Sequence, residues 1–351
     1  IGNPVRADIK VSDAELEKIL WEAVDVEAKD NPLRGRLAAA VEELLSKDWA
    51  PLAFPEGKYP GEGFWAFSDP SEVYLAIGLA WPHLPDGLRA KVKLFQEDPV
   101  ARPSLDGTKG ERRERYEFVQ LQKTDHGRLR SPGLARLYPV WLYAHASGEW
   151  GWIEKHWPRL KGLLGSASGE WKLDGKNGLL SGLIAYARIA ARLKDAEAVA
   201  AVTPRARAAM RERVEYEASY PRGGVYFDGA SGPLRTGPAR WTFLTPEIGR
   251  LCRTFAGPVQ DSLVARYVDF HRPSWPLAWG ILSTYGHENC TEMPIHAMSH
   301  FQAKAFLVET PAAELARAVD VPWCRADLYH IEKLALAIRA ASPPRWRDVR
   351  P

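Results

Sequence analysis

Much that would label a protein early is missing from this chain. Cysteine is scarce, with only Cys252, Cys290 and Cys324, widely spaced. They form no zinc-ligand pattern, and three thiols cannot all pair within one chain. Long apolar runs are also absent: none approaches the ~20 residues a helix needs to cross a bilayer, so no membrane partner is expected. An excess of one sign of charge is nearly absent, with 47 Lys and Arg against 44 Asp and Glu, a formal net of only +3 and the positives scattered. That balance leaves no nucleic-acid footprint. P-loop, dinucleotide-fold and nucleophile-elbow motifs do not occur, and no cofactor is implied. No Pro- or Ser-rich linker divides the 351 residues. The expectation is one domain over 1–351, with residues 1–48 supplying N-terminal helices that pack on the rest or complete it. The chain begins at Ile1 without an apolar segment behind a basic start. A processed secreted or periplasmic chain, or a fragment, would read this way.

What is present is tryptophan and helical periodicity. The 14 Trp stand out, because the side chain serves as core filler, interface anchor or platform for a ring-shaped ligand. Ser12-Asp13-Ala14-Glu15 is a capping box, followed by Leu16, Ile19, Leu20 and Ala23 at helical spacing. Leu33, Leu37, Val41 and Leu44 mark a second helix. Asp69-Pro70, Ser131-Pro132, Thr245-Pro246 and Thr310-Pro311 each place a capping side chain before a proline, a helix-start signal. Leu134, Leu137, Tyr138, Trp141 and Leu142 form a stripe ending near Gly148. Another stripe follows at once through Trp150, Ile153, Trp157 and Leu160, which predicts a tight hairpin of antiparallel neighbours. The pattern recurs from Leu179 through Ala190, across Lys194-Asp195, to Val199 and Val202. It recurs again around Ile248–Phe255 and Leu263–Val268, and from Glu292 to Val308 and Asp327 to Ile338. About fourteen helices in about seven hairpins are expected. Strand signals are confined to Gly224–Phe227 and Trp241–Phe243, a candidate β-hairpin. Trp49–Ser68, Asp98–Arg130 and Ser219–Leu244 resist helix assignment, and loops that long are usually functional or disordered.

The run Leu134-Ala-Arg-Leu-Tyr-Pro-Val-Trp-Leu-Tyr-Ala-His-Ala-Ser-Gly-Glu-Trp150, with Ile153 and His156-Trp157-Pro158, resembles the hairpins of the six-hairpin glycosidase-like superfamily. Leu183-Ile-Ala-Tyr-Ala-Arg-Ile-Ala-Ala-Arg-Leu-Lys-Asp195 looks like a second copy, and the resemblance spans roughly residues 70 to 340. It implies an all-α fold, an (α/α)6 toroid of antiparallel helical hairpins with long loops. It further implies a carbohydrate substrate and an active site at one mouth of the ring. Fold alone does not give function, so the site must carry the reading. The resemblance is one of pattern and assigns no catalytic position.

Reactive side chains are densest between Tyr285 and His300, which include His287, Glu288, Glu292, His296 and His300. With a helix starting near Glu292, that residue, His296 and His300 fall on one face. Such a face suits acid/base catalysis or, as an alternative, a metal site of Glu292, His296 and His300. The plain alternative is a polar face near a helix start, where Glu is favoured by the dipole. Asp125 and His126 close a charged loop and form a second acid/base candidate. Loop aromatics and polar groups with a claim on a sugar ring are Trp65, Phe67, Tyr226, Asp228, Trp241, Arg272 and Trp275. Trp81, Trp141, Trp150 and Trp157 sit on helical stripes and read as core.

Glycosidic cleavage takes two carboxyl groups, which Glu288 or Glu292 with Asp125 would supply. A uronate lyase would use a His or Tyr base, for which His126, His287, Tyr226 and Arg272 serve. The pI of about 8.6 leans slightly toward an acidic sugar. The third reading is a non-catalytic sugar-binding or scaffold toroid. Unequal hairpins and long insertions set aside a regular solenoid.

Overall fold

The computed structural model describes residues 10–25, 30–45, 70–97, 134, 137–167, 173–219, 245–248, 250–251, 254–255, 328–341 and 344–351. These are mostly helical. In chain order they form α1 (Asp13–Trp21), β1 (Glu22–Asp25), α2 (Leu33–Leu45), α3 (Pro70–Ala80), α4 (Asp86–Glu97) and α5 (Leu137–Ser147). There follow α6 (Gly151–Leu160), α7 (Leu173–Arg192), α8 (Ala196–Ser219), α9 (Leu328–Ala340) and β2 (Arg345–Asp348). Short 3-10 stretches, Trp81–His83 and Lys161–Ala167, follow α3 and α6.

Two kinds of helix alternate from α2 to α8, and burial separates them. In α3, Tyr74, Leu75, Ala76, Ile77, Leu79 and Ala80 are all buried. In α5, Leu137, Tyr138, Val140, Trp141, Tyr143 and Ala144 are buried, and α7 and α9 show the same pattern. A helix that is apolar all round must be covered on every side. By contrast α2 buries Leu33, Leu37, Val41 and Leu44, and α6 buries Ile153, Trp157 and Leu160. α8 buries Ala198, Val202, Ala206, Met210 and Val214, a narrow stripe at four-residue spacing. One-sided helices need one neighbour and leave the other face to water.

Packing follows from that division. The all-apolar helices lie side by side in the order α9, α3, α5, α7. The one-sided helices cover them: α8 packs along α7, and α2 along α9. Each fully buried Leu or Ile in the inner row contributes about 1.5–3 kcal/mol of transfer free energy. The hairpin expected of α5 and α6 does turn at Gly148, whose φ of 79° suits a glycine. The long flanks of α5, however, are taken by α3 and α7, while α6 meets chiefly the 3-10 stretch after it. α5 has apolar surface on both flanks to bury and α6 has only one stripe.

Local signals explain the helix ends. The Ser12 hydroxyl accepts the Glu15 N–H at 3.3 Å and donates to the Glu15 carboxylate at 2.6 Å. α3 starts at Pro70, and Pro246 follows Thr245 into a short helical run. Asp195 caps α8 by accepting the Ala198 N–H at 3.0 Å, and also accepts Trp157 Nε1–H at 2.9 Å.

Ala23 departs from the expected pattern. It continues the apolar spacing of α1 but lies in β1, because the helix stops at Trp21. β1 pairs antiparallel with β2, Glu22 opposite Asp348 and Asp25 opposite Arg345. Chain segments more than 300 residues apart are thereby joined. The Val349 N–H adds a bond to the Trp21 carbonyl at 2.8 Å. Arg250 reinforces the ribbon, pairing with Glu22 at 2.7 Å while its guanidinium lies 4.4 Å from the Trp346 ring centre. The candidate hairpin at 224–227 and 241–243 lies outside the described residues.

Candidate functional site

A cavity of about 410 Å³ opens where the inner row meets the ribbon. Its wall draws on three inner helices: Gly78 and Leu79 near the end of α3, Tyr138, Trp141, Leu142 and His145 along α5, and Ala335 and Arg339 in the second half of α9. Asp25 of β1, Arg347 of β2, Arg89 of α4 and Glu247 complete it. The volume falls within the range that holds a small organic ligand.

Close approach of α3 and α5 shapes one side. A Cβ on Gly78 would lie 3.1 Å from both Leu142 Cγ and the Tyr143 backbone nitrogen. Tyr143 also meets Tyr74 and Trp81 edge-on, with ring centres 5.5 and 5.9 Å apart. Trp81, Trp141 and Trp157 are buried and Trp150 is half-buried, as core residues should be. None of the three buried rings is available as a flat platform.

Behind the cavity lies a buried polar network. Arg188, in the second half of α7, is 1% exposed. Its Nη1 pairs with Glu247 Oε1 at 2.7 Å, and Glu247 Oε2 accepts the Tyr138 hydroxyl at 2.9 Å. The remaining donors go to backbone: Nε to the Leu20 carbonyl at 2.8 Å, and Nη2 to Glu22 at 2.9 Å and Ile19 at 3.3 Å. Those carbonyls close the C-terminal end of α1, where a helix leaves acceptors unsatisfied. The guanidinium also sits 4.5 Å from the centre of the Trp141 ring. One cation thus ties α7 to α1, β1, α5 and the 245–248 segment. Burial, then the Glu247 carboxylate, push the Tyr138 phenol far above its ordinary range, so it remains a donor.

His145 is the imidazole of the cavity wall and reaches the open space. It stacks on Trp141 at 5.1 Å and an interplanar angle of 13°. The surrounding protein, then Arg188, lower its pKa, which favours neutral imidazole. Asp25 meets Arg347 at 2.6 Å across the ribbon. Arg89 donates to the Trp81 and Pro82 carbonyls at 3.1 Å and to Asp86 at 3.2 Å. Burial works against the charge of Arg339, and the Tyr138 and Glu247 groups partly offset that cost.

The side chains chosen from sequence are Asp125, His126, His287, Glu288, Glu292, His296 and His300, with Trp65, Phe67, Tyr226, Asp228, Trp241, Arg272 and Trp275. All lie outside the described residues. Sequence reasoning passed over Tyr138, His145, Arg188, Glu247 and Arg339. A signal existed for Arg188: it interrupts the stripe Leu183–Ala191 on the face that the stripe buries, and a cation there demands a partner. Glu247 directly follows the Thr245-Pro246 start signal.

Among the described residues, no three His, Cys, Asp or Glu side chains gather into a metal-binding group. No described helix is long and apolar enough to cross a membrane. Compared with protein-family models, curated proteins and solved structures, the chain matches none.

Proposed function

We propose that the protein is a carbohydrate-active enzyme of the (α/α)6 toroid type, glycoside hydrolase-like. The observation that carries this reading is the two-layer alternation with a cavity walled by three of its inner helices. An inner row whose last helix, α9, lies beside its first, α3, is what a closing ring requires. The cavity offers donors and acceptors together, as a hydroxyl-rich ring demands. Arg89, Arg339 and His145 accompany Asp25 and Glu247 in its lining.

Cleavage of a glycosidic bond by this route takes one carboxyl group to protonate the leaving oxygen and one to act as base or nucleophile. Both oxygens of Glu247 are occupied, by Arg188 and Tyr138, and Asp25 is paired with Arg347. The acid/base pair is therefore assigned to the loops, as Glu288 or Glu292 with Asp125, supported by His126 and His287. Trp65, Phe67, Tyr226, Asp228, Trp241, Arg272, Trp275 and His296 would hold the rest of the saccharide.

One observation favours uronate elimination as a second reading. His145 is an imidazole whose neutral form is favoured, in a cavity also lined by guanidinium groups. A neutral base beside cations is the arrangement that abstracts a proton next to a carboxylate. A screen of poly- and oligosaccharides separates the two readings. New reducing ends without an unsaturated, ultraviolet-absorbing product mean hydrolysis, and both signals together mean elimination. Under the first reading, Glu288→Gln or Glu292→Gln abolishes turnover in at least one case with the thermal melt unchanged. Full activity in both variants removes them from catalysis. Silence on every saccharide favours a non-catalytic toroid.

A further inference from the structure

His83 is a buried titratable group that takes no part in the cavity's ion pairs or hydrogen bonds. It ends the 3-10 turn Trp81–His83, whose first two residues line the cavity. The residue is 2% exposed, and neither ring nitrogen has a hydrogen-bond partner among the described residues. Guanidinium groups hold the backbone of the turn. Arg89 donates to the Trp81 and Pro82 carbonyls, and Arg34 donates to the His83 carbonyl at 3.2 Å. The Leu84 N–H closes the turn on the Trp81 carbonyl at 3.2 Å.

The charges that act on the imidazole come from three helices: Arg34 of α2, Arg339 of α9 and Arg89 of α4. Arg89 keeps Asp86 as its own ion-pair partner. From α5 the Tyr143 ring meets Trp81, and Tyr74 of α3 stands edge-on behind it. No carboxylate is among the described groups that act on His83. A neutral ring buried here forgoes the hydrogen bonds that water would supply, and a charged one would join three cations. Opening the turn restores those bonds and, in acid, admits the proton that the closed form refuses.

We propose that the Trp81–His83 turn is an acid-sensitive movable wall of the cavity, held closed over neutral His83 and released when the imidazole takes up a proton. Release takes Trp81 and Pro82 out of the lining, whichever ligand the cavity holds, so the carbohydrate reading is not needed here. Burial, then Arg34, Arg339 and Arg89, push the closed imidazole from 6.5 down to about 4. The open population, a minor one at neutral pH, should therefore rise on the order of fiftyfold between about pH 7 and about pH 4.5.

The test is native-state hydrogen exchange of the chain at those two pH values, corrected for intrinsic rates and repeated in low urea. It compares the Leu84 amide with that of Ile184, buried in α7. Leu84 should exchange faster than Ile184 at both pH values, respond little to urea, and open on the order of fiftyfold more often in acid. In His83→Gln, uncharged at either pH, that acid response should vanish. Should the variant misfold, NMR of the His83 ring in the unaltered chain reads the same event: the ring should stay neutral well below 6.5 and titrate in step with Leu84 opening. Leu84 exchange equal to that of Ile184 means the turn yields only with the whole fold, and overturns the proposal. Opening that ignores pH, an acid response that survives in His83→Gln, or a ring that titrates as a free imidazole does the same.

Discussion

Replacing Arg188 by methionine keeps its stem and removes one cation from the centre of the molecule. Three kinds of interaction are lost together: the pair with Glu247, the bonds to the carbonyls of Ile19, Leu20 and Glu22, and the contact with the Trp141 ring. Breaking one side of a buried ion pair costs about 3–5 kcal/mol, chiefly because the remaining charge has no partner. The three carbonyls at the end of α1 are left without their donor, which adds to that cost. We expect Arg188→Met to lose about 4 kcal/mol or more in urea unfolding followed by circular dichroism. At roughly 2 °C per kcal/mol for a large chain, the melting temperature should fall by roughly 8 °C. Glu247→Leu should lose a comparable amount. The double variant should recover at least about 2 kcal/mol of the summed loss, since removing both charges leaves neither stranded. A loss under about 1 kcal/mol for Arg188→Met, or strict additivity in the double variant, would refute this picture of the network.

Other consequences are open to measurement. His83 is buried, and neither ring nitrogen has a hydrogen-bond partner among the described residues. Burial first, then Arg34, Arg339 and Arg89, lower its pKa from 6.5 to about 4. The unfolded chain therefore takes up a proton that the folded one refuses, and stability falls as pH drops from about 6.5 to 4, by about 3 kcal/mol. His83→Leu should flatten that slope, and an unchanged slope would exonerate the histidine. Gly78→Ala should cost about 1–3 kcal/mol, because the new methyl meets the α5 backbone, whereas Gly35→Ala meets nothing within 4 Å and should gain about 0.5 kcal/mol. Paired thermal melts check both. Asp195→Ala should lose about 1 kcal/mol by uncapping α8, visible as a lower urea midpoint with unchanged slope.

The helices were legible because their signals are local. Ser12, Pro70 and Asp195 start helices by chemistry confined to a few residues, and the stripes of α2 and α7 are read directly from spacing, whereas of the α8 stripe only Val202 is. The β1–β2 ribbon was not, since its partners lie at opposite ends of the chain and each strand has only four residues. Ala23 misled because a buried position after α1 has the same apolar character in a strand as in a helix. The cavity was illegible for a related reason: Arg339, His145 and Asp25 come together only when α9 packs on α3 and the ribbon closes. Reactive residues clustered in sequence drew attention to 285–300, while groups clustered in space, such as Tyr138, Arg188 and Glu247, carry no such mark.

If paired helices form a ring, its mouth should unite the cavity with the reactive loops. A crystal structure of the chain soaked with an oligosaccharide tests this most directly. The expected result is a closed inner ring, the sugar in the cavity beside His145, and Asp125 with Glu288 or Glu292 flanking a glycosidic bond at the same mouth. An open row of helices, or residues 125 and 287–300 on the opposite side from His145, would contradict it.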